Sequence, residues 1–205
     1  MKVGYLRLSG TSPCHSAMMA TGADETERTE GTRRPAGRSL GRVRELPPDP
    51  AGTIAPMPTP TIIFLRHGQA EDDDGRGDAA RPLTPKGIAQ GESAGIAIAK
   101  LGLAPEACLT SPRVRALDTA KAACLALDLE PILEESLGGG GFRGDALAAG
   151  FEAVLLVGHE PTFSGEVGRL TGGSVRMRKG GIAVVRGSRL ELLAGPDLLA
   201  LAAGD

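Results

Sequence analysis

The chain has 205 residues, a formal net charge of −2, 41% hydrophobic residues and only 2% aromatic residues. This length and apolar content are enough for one domain with a hydrophobic core, which must consist mainly of aliphatic side chains. The weak net charge and the lack of aromatic stacking platforms argue against a nucleic acid or an anionic membrane as the partner, so a small soluble substrate is the default expectation.

Residues 1–60 show no sustained apolar periodicity and are rich in arginine, glycine and proline, as in the patch at 46–50. Such a segment cannot bury enough apolar surface to offset the entropy lost on ordering, so we predict a disordered or loosely attached extension. It lacks the apolar core of a signal peptide, and no later segment is long enough to span a membrane. Alternatively, Met57 is the physiological start and residues 1–56 are not part of the protein.

The first strong element is the β-branched and aromatic run 61–65, which predicts a buried strand. Arg66, His67 and Gly68 follow it directly. Because open α/β sheets bind their ligands at the carboxyl ends of strands, Arg66 and His67 are expected at such a place. An imidazole beside a guanidinium there suggests phosphate chemistry.

Two helices are predicted next, each introduced by a capping residue and a proline. Thr84 and the proline after it predict a helix over 85–101, in which apolar residues recur at helical spacing. The short apolar run 107–110 predicts a strand. Ser111, again followed by proline, is predicted to cap a second helix that carries Arg115 in its first turn.

The second half of the chain continues this alternation. Four consecutive glycines, 138–141, predict a mobile loop near the substrate entrance. A second strong apolar run, 153–157, leads directly to His159. Shorter elements complete the prediction, namely a strand at 131–133, a short helix at 145–149 and paired strands at 182–186 and 190–193. The alternation predicts a three-layer α/β/α sandwich with a mostly parallel central sheet.

Arg66, His67, Arg115 and His159 occupy equivalent positions in these predicted elements. Each lies at the carboxyl end of a strand or near the amino end of a helix, and in a parallel sheet these ends share one rim. Helix N–H groups and the helix dipole make the same rim favourable for an anion. Any one of these residues alone is more typical of a structural role, so the prediction of a site depends on their combination.

The cysteines and histidines show no motif for a metal ion or a disulfide framework. Cys14, Cys108 and Cys124 are odd in number and lack a Cys-x-x-Cys spacing, which indicates reduced thiols in a cytoplasmic protein. The acidic run 72–74 lacks the ligand spacing of a calcium loop. We therefore expect neither a metal nor another cofactor.

Three segments of the chain resemble the signature blocks of the histidine phosphatase superfamily, which includes the phosphoglycerate mutases: Arg66-His67-Gly68, Ser111 to Ala120, and Gly158-His159-Glu160-Pro161. The segment 81–84 and the small size resemble more specifically the bacterial phosphohistidine phosphatase branch. The resemblance begins at about residue 61 and implies a phosphoglycerate mutase-like histidine phosphatase domain over 61–205.

The resemblance implies a nucleophile and a set of phosphate ligands. It makes His67 the nucleophile and surrounds the phosphate with Arg66, Arg115 and His159; Gly68 and Glu160 complete the substrate contacts. The chemistry agrees, because neighbouring guanidiniums disfavour protonation of His67 and oppose the charge on the transferred oxygens. Water would then hydrolyse the phosphohistidine and regenerate the enzyme without a metal.

The acid that protonates the leaving group is predicted to be Asp78, because its place before Arg81 resembles the acid-bearing loop of the phosphohistidine branch. Glu134 and Glu160 are reserve candidates for the same role. The resemblance also places Arg81 at the rim of the pocket. An imidazole leaving group is less basic than an alkoxide, so a phosphohistidine substrate demands less of this acid.

The predicted function is a phosphatase that forms a phosphohistidine intermediate and acts on protein phosphohistidine in signalling. A phosphatase of small phosphorylated metabolites and a noncatalytic phosphate-binding regulatory module are the alternatives. A mutase is disfavoured, because the segment between Arg115 and His159 is too short for large insertions that enclose a substrate. The basic cluster Arg176, Arg178 and Lys179 either attracts an acidic protein segment or is simply solvated. The sequence specifies neither the physiological substrate nor the oligomeric state.

Overall fold

The computed structural model describes residues 59–204. The predicted extension at 1–60, apart from its last two residues, and the alternative start at Met57 lie outside the described residues. In the described part, strands and α-helices follow one another in this order: β1 (Thr61–Arg66), α1 (Pro85–Lys100), β2 (Ala107–Thr110), α2 (Val114–Cys124), β3 (Pro131–Leu133), α3 (Gly144–Leu147), β4 (Ala153–Gly158), α4 (Thr162–Thr171), β5 (Ile182–Arg186), β6 (Arg189–Ala194) and α5 (Pro196–Ala203). Short 3-10 turns occupy Asp78–Ala80 and Glu135–Gly138.

The strands form one mixed sheet in the order β3-β2-β4-β1-β5-β6. The first four strands of this order are parallel, whereas β5 is antiparallel to both β1 and β6. The mostly parallel sheet and the positions of the individual strands therefore confirm the predicted α/β class. The antiparallel hairpin of β5 and β6 extends the sheet on one side without a crossover helix.

Helices cover both faces of the sheet. Successive side chains of a strand point to opposite faces, so alternate residues of β1 pack against different helices. Ile63 and Leu65 of β1 belong to a core cluster with apolar residues of α1, α2 and α5. Ile62 and Phe64 belong to a second cluster with residues of α3 and α4. These two clusters confirm the three-layer arrangement. None of the helices within 59–204 is both long and apolar enough to cross a membrane.

The starts of the two long helices differ in how well they were predicted. The Thr84 hydroxyl accepts a hydrogen bond from the Gly87 N–H at 3.0 Å, which confirms the predicted cap of α1. The predicted cap of α2 is wrong, because this helix begins at Val114 and Arg113 occupies its cap position. Ser111 still donates its N–H to the Val157 carbonyl, so it continues the pairing of β2 with β4.

Candidate active site

The two histidines meet at the carboxyl ends of adjacent parallel strands. Arg66 of β1 pairs with Gly158 of β4, and His67 and His159 are the residues that directly follow these two strands. The His67 N–H donates to the Gly158 carbonyl at 3.0 Å, which continues the ladder. The two rings lie 5.1 Å apart between centroids, and each residue is only 7% exposed. The predicted convergence of the two histidines is therefore present in the structure.

His67 has one unprotonated ring nitrogen, whose lone pair accepts a hydrogen bond. Its Nδ1 lies 2.7 Å from the Gly68 carbonyl oxygen, which can only accept, so Nδ1 carries the proton. Its Nε2 accepts a hydrogen bond from Arg115 Nε at 3.3 Å. Burial, together with the charges of Arg115 and Arg66, lowers the pKa of His67 to about 4. The ring is thus neutral at neutral pH, with Nε2 as its basic atom.

His159 is also held in its neutral form. Burial is the main cause that lowers its pKa to about 3, and the neighbouring His67 and Arg115 act in the same direction. Its Nε2 lies 2.8 Å from the Ser111 hydroxyl, while its buried Nδ1 makes no hydrogen bond within residues 59–204. A neutral imidazole at this place can donate or accept a hydrogen bond without repelling the arginines.

Arg115 and the His67 loop are joined through Thr119. The Thr119 hydroxyl donates to the Arg115 carbonyl at 2.7 Å and accepts from the Gly68 N–H at 3.0 Å. The Arg115 side chain is only 6% exposed, so its guanidinium is fixed beside His67. The predicted substrate contact at Gly68 therefore has its N–H engaged with Thr119.

Arg66, whose charge also acts on His67, has only some of its N–H groups hydrogen-bonded. Its Nη1 donates to the Met177 carbonyl at 2.8 Å. Its Nε is buried and has no hydrogen-bond partner within residues 59–204. The carboxylate of Glu160 lies close enough to raise the pKa of Arg66, although burial lowers that pKa by more. Glu160 itself accepts a hydrogen bond from the Ser164 hydroxyl at 2.7 Å.

Asp78 is clamped by three arginines. Its carboxylate accepts hydrogen bonds from Arg81 at 3.0 Å, from Arg113 at 2.7 Å and from Arg115 at 2.9 Å. Hydrogen bonds from Arg115 and Arg81 lower the pKa of Asp78 to about 2. This side chain is therefore an anion at neutral pH, and it occupies guanidinium groups that an anionic substrate would also use. Its role as a proton donor stays a prediction.

The remaining predicted residues separate into two groups. Arg81 contacts the Asp78 carboxylate and donates to the Glu71 carbonyl at 2.7 Å, and its place at the rim of a pocket stays a prediction. Glu134, the second reserve acid, instead accepts from the Ser136 N–H and hydroxyl at the start of a 3-10 turn. Among residues 59–204, no three His, Cys, Asp or Glu side chains lie together so that they could hold a metal ion.

Ser111, Arg113 and Thr119 touch the site although the sequence reasoning assigned them no role in it. All three belong to the segment whose family resemblance singled out Arg115. Of the three, Arg113 has the clearest signal in the sequence, because it is a second arginine two residues before Arg115. With the cap of α2 predicted at Ser111, Arg113 is expected inside the helix. In the structure Arg113 occupies the cap position itself, and its side chain contacts Asp78 from there.

Chemically, the site combines a neutral nucleophile with a cationic surface. The Nε2 lone pair of His67 lies next to the guanidinium of Arg115, and further guanidiniums surround the neighbouring Asp78. Arginine groups bind phosphoryl oxygens through paired hydrogen bonds and stabilise the charge on them. The geometry can therefore hold a phosphoryl group and accept it on His67.

Comparison with known proteins points to one family. The model of the histidine phosphatase superfamily (branch 1) matches residues 62–139. An uncharacterized protein of Picosynechococcus sp. is 32% identical over 149 residues, which are 66% of this chain and 90% of that relative. The matched region of the family model includes His67, Asp78 and Arg115.

Solved structures share the fold. SixA from Agrobacterium tumefaciens has a TM-score of 0.60 and 24% identity, and the match covers 68% of this chain and 99% of that one. A protein histidine phosphatase SixA complexed with tungstate has a TM-score of 0.59, 24% identity and the same coverage. A protein of Escherichia coli K-12 described as an alpha-ribazole-5'-P phosphatase has a TM-score of 0.53 and 18% identity, with 67% of this chain and 98% of that one covered. Together with the 32% identical relative, the match of the family model over the residues that contain His67 and Arg115 shows that the chain belongs to the histidine phosphatase superfamily.

Proposed function

We propose that this protein is a phosphatase that transfers a phosphoryl group to Nε2 of His67 and acts on protein phosphohistidine. The observation that carries the proposal is the neutral His67, whose proton sits on Nδ1 and whose Nε2 lone pair is held beside Arg115. In the first step an N–P bond forms at Nε2 while the bond from phosphorus to the leaving group breaks. In the second step water attacks phosphorus and gives its proton to the Asp78 carboxylate, the N–P bond breaks, and inorganic phosphate leaves.

Arg66, Arg115 and His159 are proposed to hold the phosphoryl oxygens during both steps. The transferring group carries its negative charge on those oxygens, so fixed guanidiniums stabilise it without reorganisation. The Arg115 guanidinium is already held by the backbone carbonyl and carboxylate of Asp78, and Arg66 retains a buried Nε–H without a partner in 59–204. Removal of one such donor typically lowers the rate by a factor of about 100 to 1,000.

Asp78 is proposed to give its proton to the leaving group. Its pKa of about 2 is imposed by the arginines that it contacts, with Arg115 first among them. A bound phosphoryl group competes for those guanidiniums, which weakens their hold on the carboxylate and raises its pKa. Entry of the substrate would thus prepare the acid for proton transfer, and no step in this scheme calls on a metal.

Protein phosphohistidine is favoured as the substrate because the segments beside the site are short and leave it open. Between α2 and β4 the chain holds only the strand β3, a 3-10 turn and the four-residue helix α3, with no large covering segment. Such a rim can accept a side chain presented by another protein. The shared fold with SixA, of which one structure is named a protein histidine phosphatase, supports the same choice.

A phosphatase of small metabolites is the second candidate, since a protein described as an alpha-ribazole-5'-P phosphatase has the same fold. Turnover of phosphohistidine peptides should be compared with that of a panel of sugar phosphates under the same conditions. We expect the higher kcat/KM for the peptides. A preference of several orders of magnitude for a sugar phosphate would transfer the assignment to the second candidate.

The nucleophile is tested with His67→Ala and His67→Asn. Acid-stable or base-stable labelling of the protein from a ³²P-labelled substrate distinguishes phosphoserine from phosphohistidine, and only the base-stable label is expected. Both variants should lose this label and the turnover of para-nitrophenyl phosphate, while their melting temperatures stay close to that of the wild type. Wild-type protein that binds phosphate but turns over no substrate would instead indicate the noncatalytic regulatory module.

A further inference from the structure

A second cationic region adjoins the active site on the side of Arg66. It is a cleft of about 550 Å³ whose charged lining consists of Arg66, Lys86, Arg176, Arg178, Lys179 and Asp197. We call it the basic cleft. Its residues come from the end of β1, the first turn of α1, the segment before β5 and the start of α5, so the fold rather than the sequence assembles it.

The basic cleft has a large excess of positive charge. Five cationic side chains face one carboxylate, Asp197, which pairs with Arg178 at 2.9 Å. For Lys86, Arg176 and Lys179 the structure shows no ion pair with any carboxylate in residues 59–204, and all three are exposed. Like charges held together without counterions raise the local positive potential and favour a polyanionic partner.

The cleft and the catalytic site are continuous. Arg66 lines the cleft and is the residue directly before His67. The charge of Lys179 contributes to the lowered pKa of His67, and that of Arg176 contributes to the lowered pKa of Arg66. A partner whose phosphoryl group reaches His67 would therefore place its neighbouring groups against these cations.

The composition of the lining decides which anion fits. Pockets for small ligands are mostly apolar, with a few polar groups that fix the orientation. Here charged side chains from four segments dominate an exposed surface, which is typical of electrostatic steering between macromolecules. Several carboxylates spaced along a polypeptide match cations spread in this way.

On the basis of the proposed function, we infer that the basic cleft docks acidic residues that flank the phosphohistidine of a protein substrate. The proposed function concerns the reaction at His67, whereas the cleft selects the surroundings of the phosphorylated residue. Carboxylates near that residue would increase the rate of productive encounter and weaken dissociation. Both effects must fade with salt, because the Debye length is only about 10 Å at 0.1 M ionic strength.

The test uses two phosphohistidine peptides that differ only in their flanks, which are aspartate and glutamate in one and asparagine and glutamine in the other. Three proteins are compared: the wild type, the double variant Lys86→Glu/Arg176→Glu, and Arg189→Glu. Arg189 is an exposed cation at the start of β6, paired with Arg186 at the opposite end of the sheet, so it controls for a charge reversal away from the cleft, with half the change in net charge of the double variant. Binding of the unphosphorylated peptides is measured in parallel by fluorescence anisotropy.

We expect the wild type to prefer the acidic peptide by about tenfold in kcat/KM at low salt, a size typical of a few solvated charge pairs. The preference should vanish in the double variant, persist in Arg189→Glu, and fall towards one at high salt. The ratio between peptides cancels any general effect of a substitution on the chemistry. The anisotropy should show the same order of affinities.

A wild-type ratio near one, or a preference that survives in the double variant, would overturn the docking role. So would a bisphosphorylated metabolite whose KM rises more in the double variant than that of the acidic peptide, since the cleft would then be a small-molecule subsite. If neither phosphopeptide is turned over but the acidic peptide binds in a manner that Lys86→Glu/Arg176→Glu abolishes, docking stands and the proposed reaction falls.

Discussion

Replacing Asp78 by asparagine tests both its proposed role as proton donor and its competition with phosphate for the arginines. Asp78→Asn preserves the shape of the side chain and removes both its charge and its proton. With a pKa of about 2, only about one carboxyl in 100,000 is protonated at pH 7. Each unit by which a bound phosphoryl group raises that pKa increases the protonated fraction about tenfold. The demand for this proton depends on the basicity of the leaving group.

The expected loss of activity therefore grows along a series of substrates. For para-nitrophenyl phosphate, whose leaving group departs as a stabilised anion, Asp78→Asn should lower kcat/KM by less than about threefold. For an alkyl phosphate the loss should reach about 100-fold or more, the usual contribution of a general acid. A phosphohistidine peptide should fall between them. Steady-state kinetics across the series gives the slope of the loss against leaving-group basicity.

Inorganic phosphate supplies an independent readout. Since Asp78 occupies three guanidiniums, its replacement should strengthen inhibition by phosphate several-fold. Asp74→Asn is the matched control, because Asp74 is an exposed carboxylate whose ion pair is with Arg76 outside the site. An equal loss for every leaving group would remove Asp78 from the role of proton donor, and weaker phosphate inhibition would refute the competition for the arginines.

Three further predictions concern the site and the core. In NMR titrations, the His67 ring should change charge near pH 4 rather than near 6.5. The free energy of unfolding should fall as the pH drops from about 6.5 to about 4, because in this range the imidazole binds a proton in the unfolded chain but not in the folded one. A titration midpoint near 6.5 contradicts this. Thr119→Val leaves the Gly68 N–H unpaired, so it should lower kcat/KM and lower the free energy of unfolding in urea titrations by about 2 kcal/mol. Thr119→Ser keeps the hydroxyl and should reverse both effects. Equal activity of the two variants counts against a positioning role. Gly95→Ala should lower the free energy of unfolding by about 3 kcal/mol, because the new Cβ would overlap the Ala123 carbonyl where α1 packs on α2. The control Gly165→Ala has open space around the new Cβ and should be neutral or stabilising. A neutral Gly95→Ala would refute the close packing.

Much of the fold was predictable because its signals are local. The apolar runs that form β1 and β4 and the Thr84 cap of α1 depend only on neighbouring residues, and the structure confirms them. The helix α5 was not predicted, although Pro196 at its start is a usual signal. Its apolar residues follow closely on the strand β6, so no clear change of period separates the two elements.

The meeting of His67, Arg115 and His159 was predictable from topology, since strand ends and helix starts share a rim. The ion pairs around Asp78 were not, because they join residues 35 and 37 positions apart through side chains that the strand and helix pattern does not orient. The cap of α2 was misplaced for a related reason. The hydrophobic pattern cannot show that the Ser111 hydroxyl is committed to His159, a residue 48 positions away.

One guanidinium, that of Arg115, thus affects the charge of both proposed reacting groups in opposite senses. Its positive charge adds to the burial that keeps His67 neutral, and its hydrogen bond is the largest cause that keeps Asp78 ionised. In the proposed scheme, a phosphoryl group that takes over the Arg115 guanidinium would bring its own negative charge beside His67, but it would release Asp78 from the contact that contributes most to its low pKa. In this scheme Asp78 would become a proton donor only when the group to be transferred is bound. An anion too small or too weakly charged to displace Asp78 would bind without creating the acid, so the arginine cluster links recognition of the phosphoryl group to its transfer.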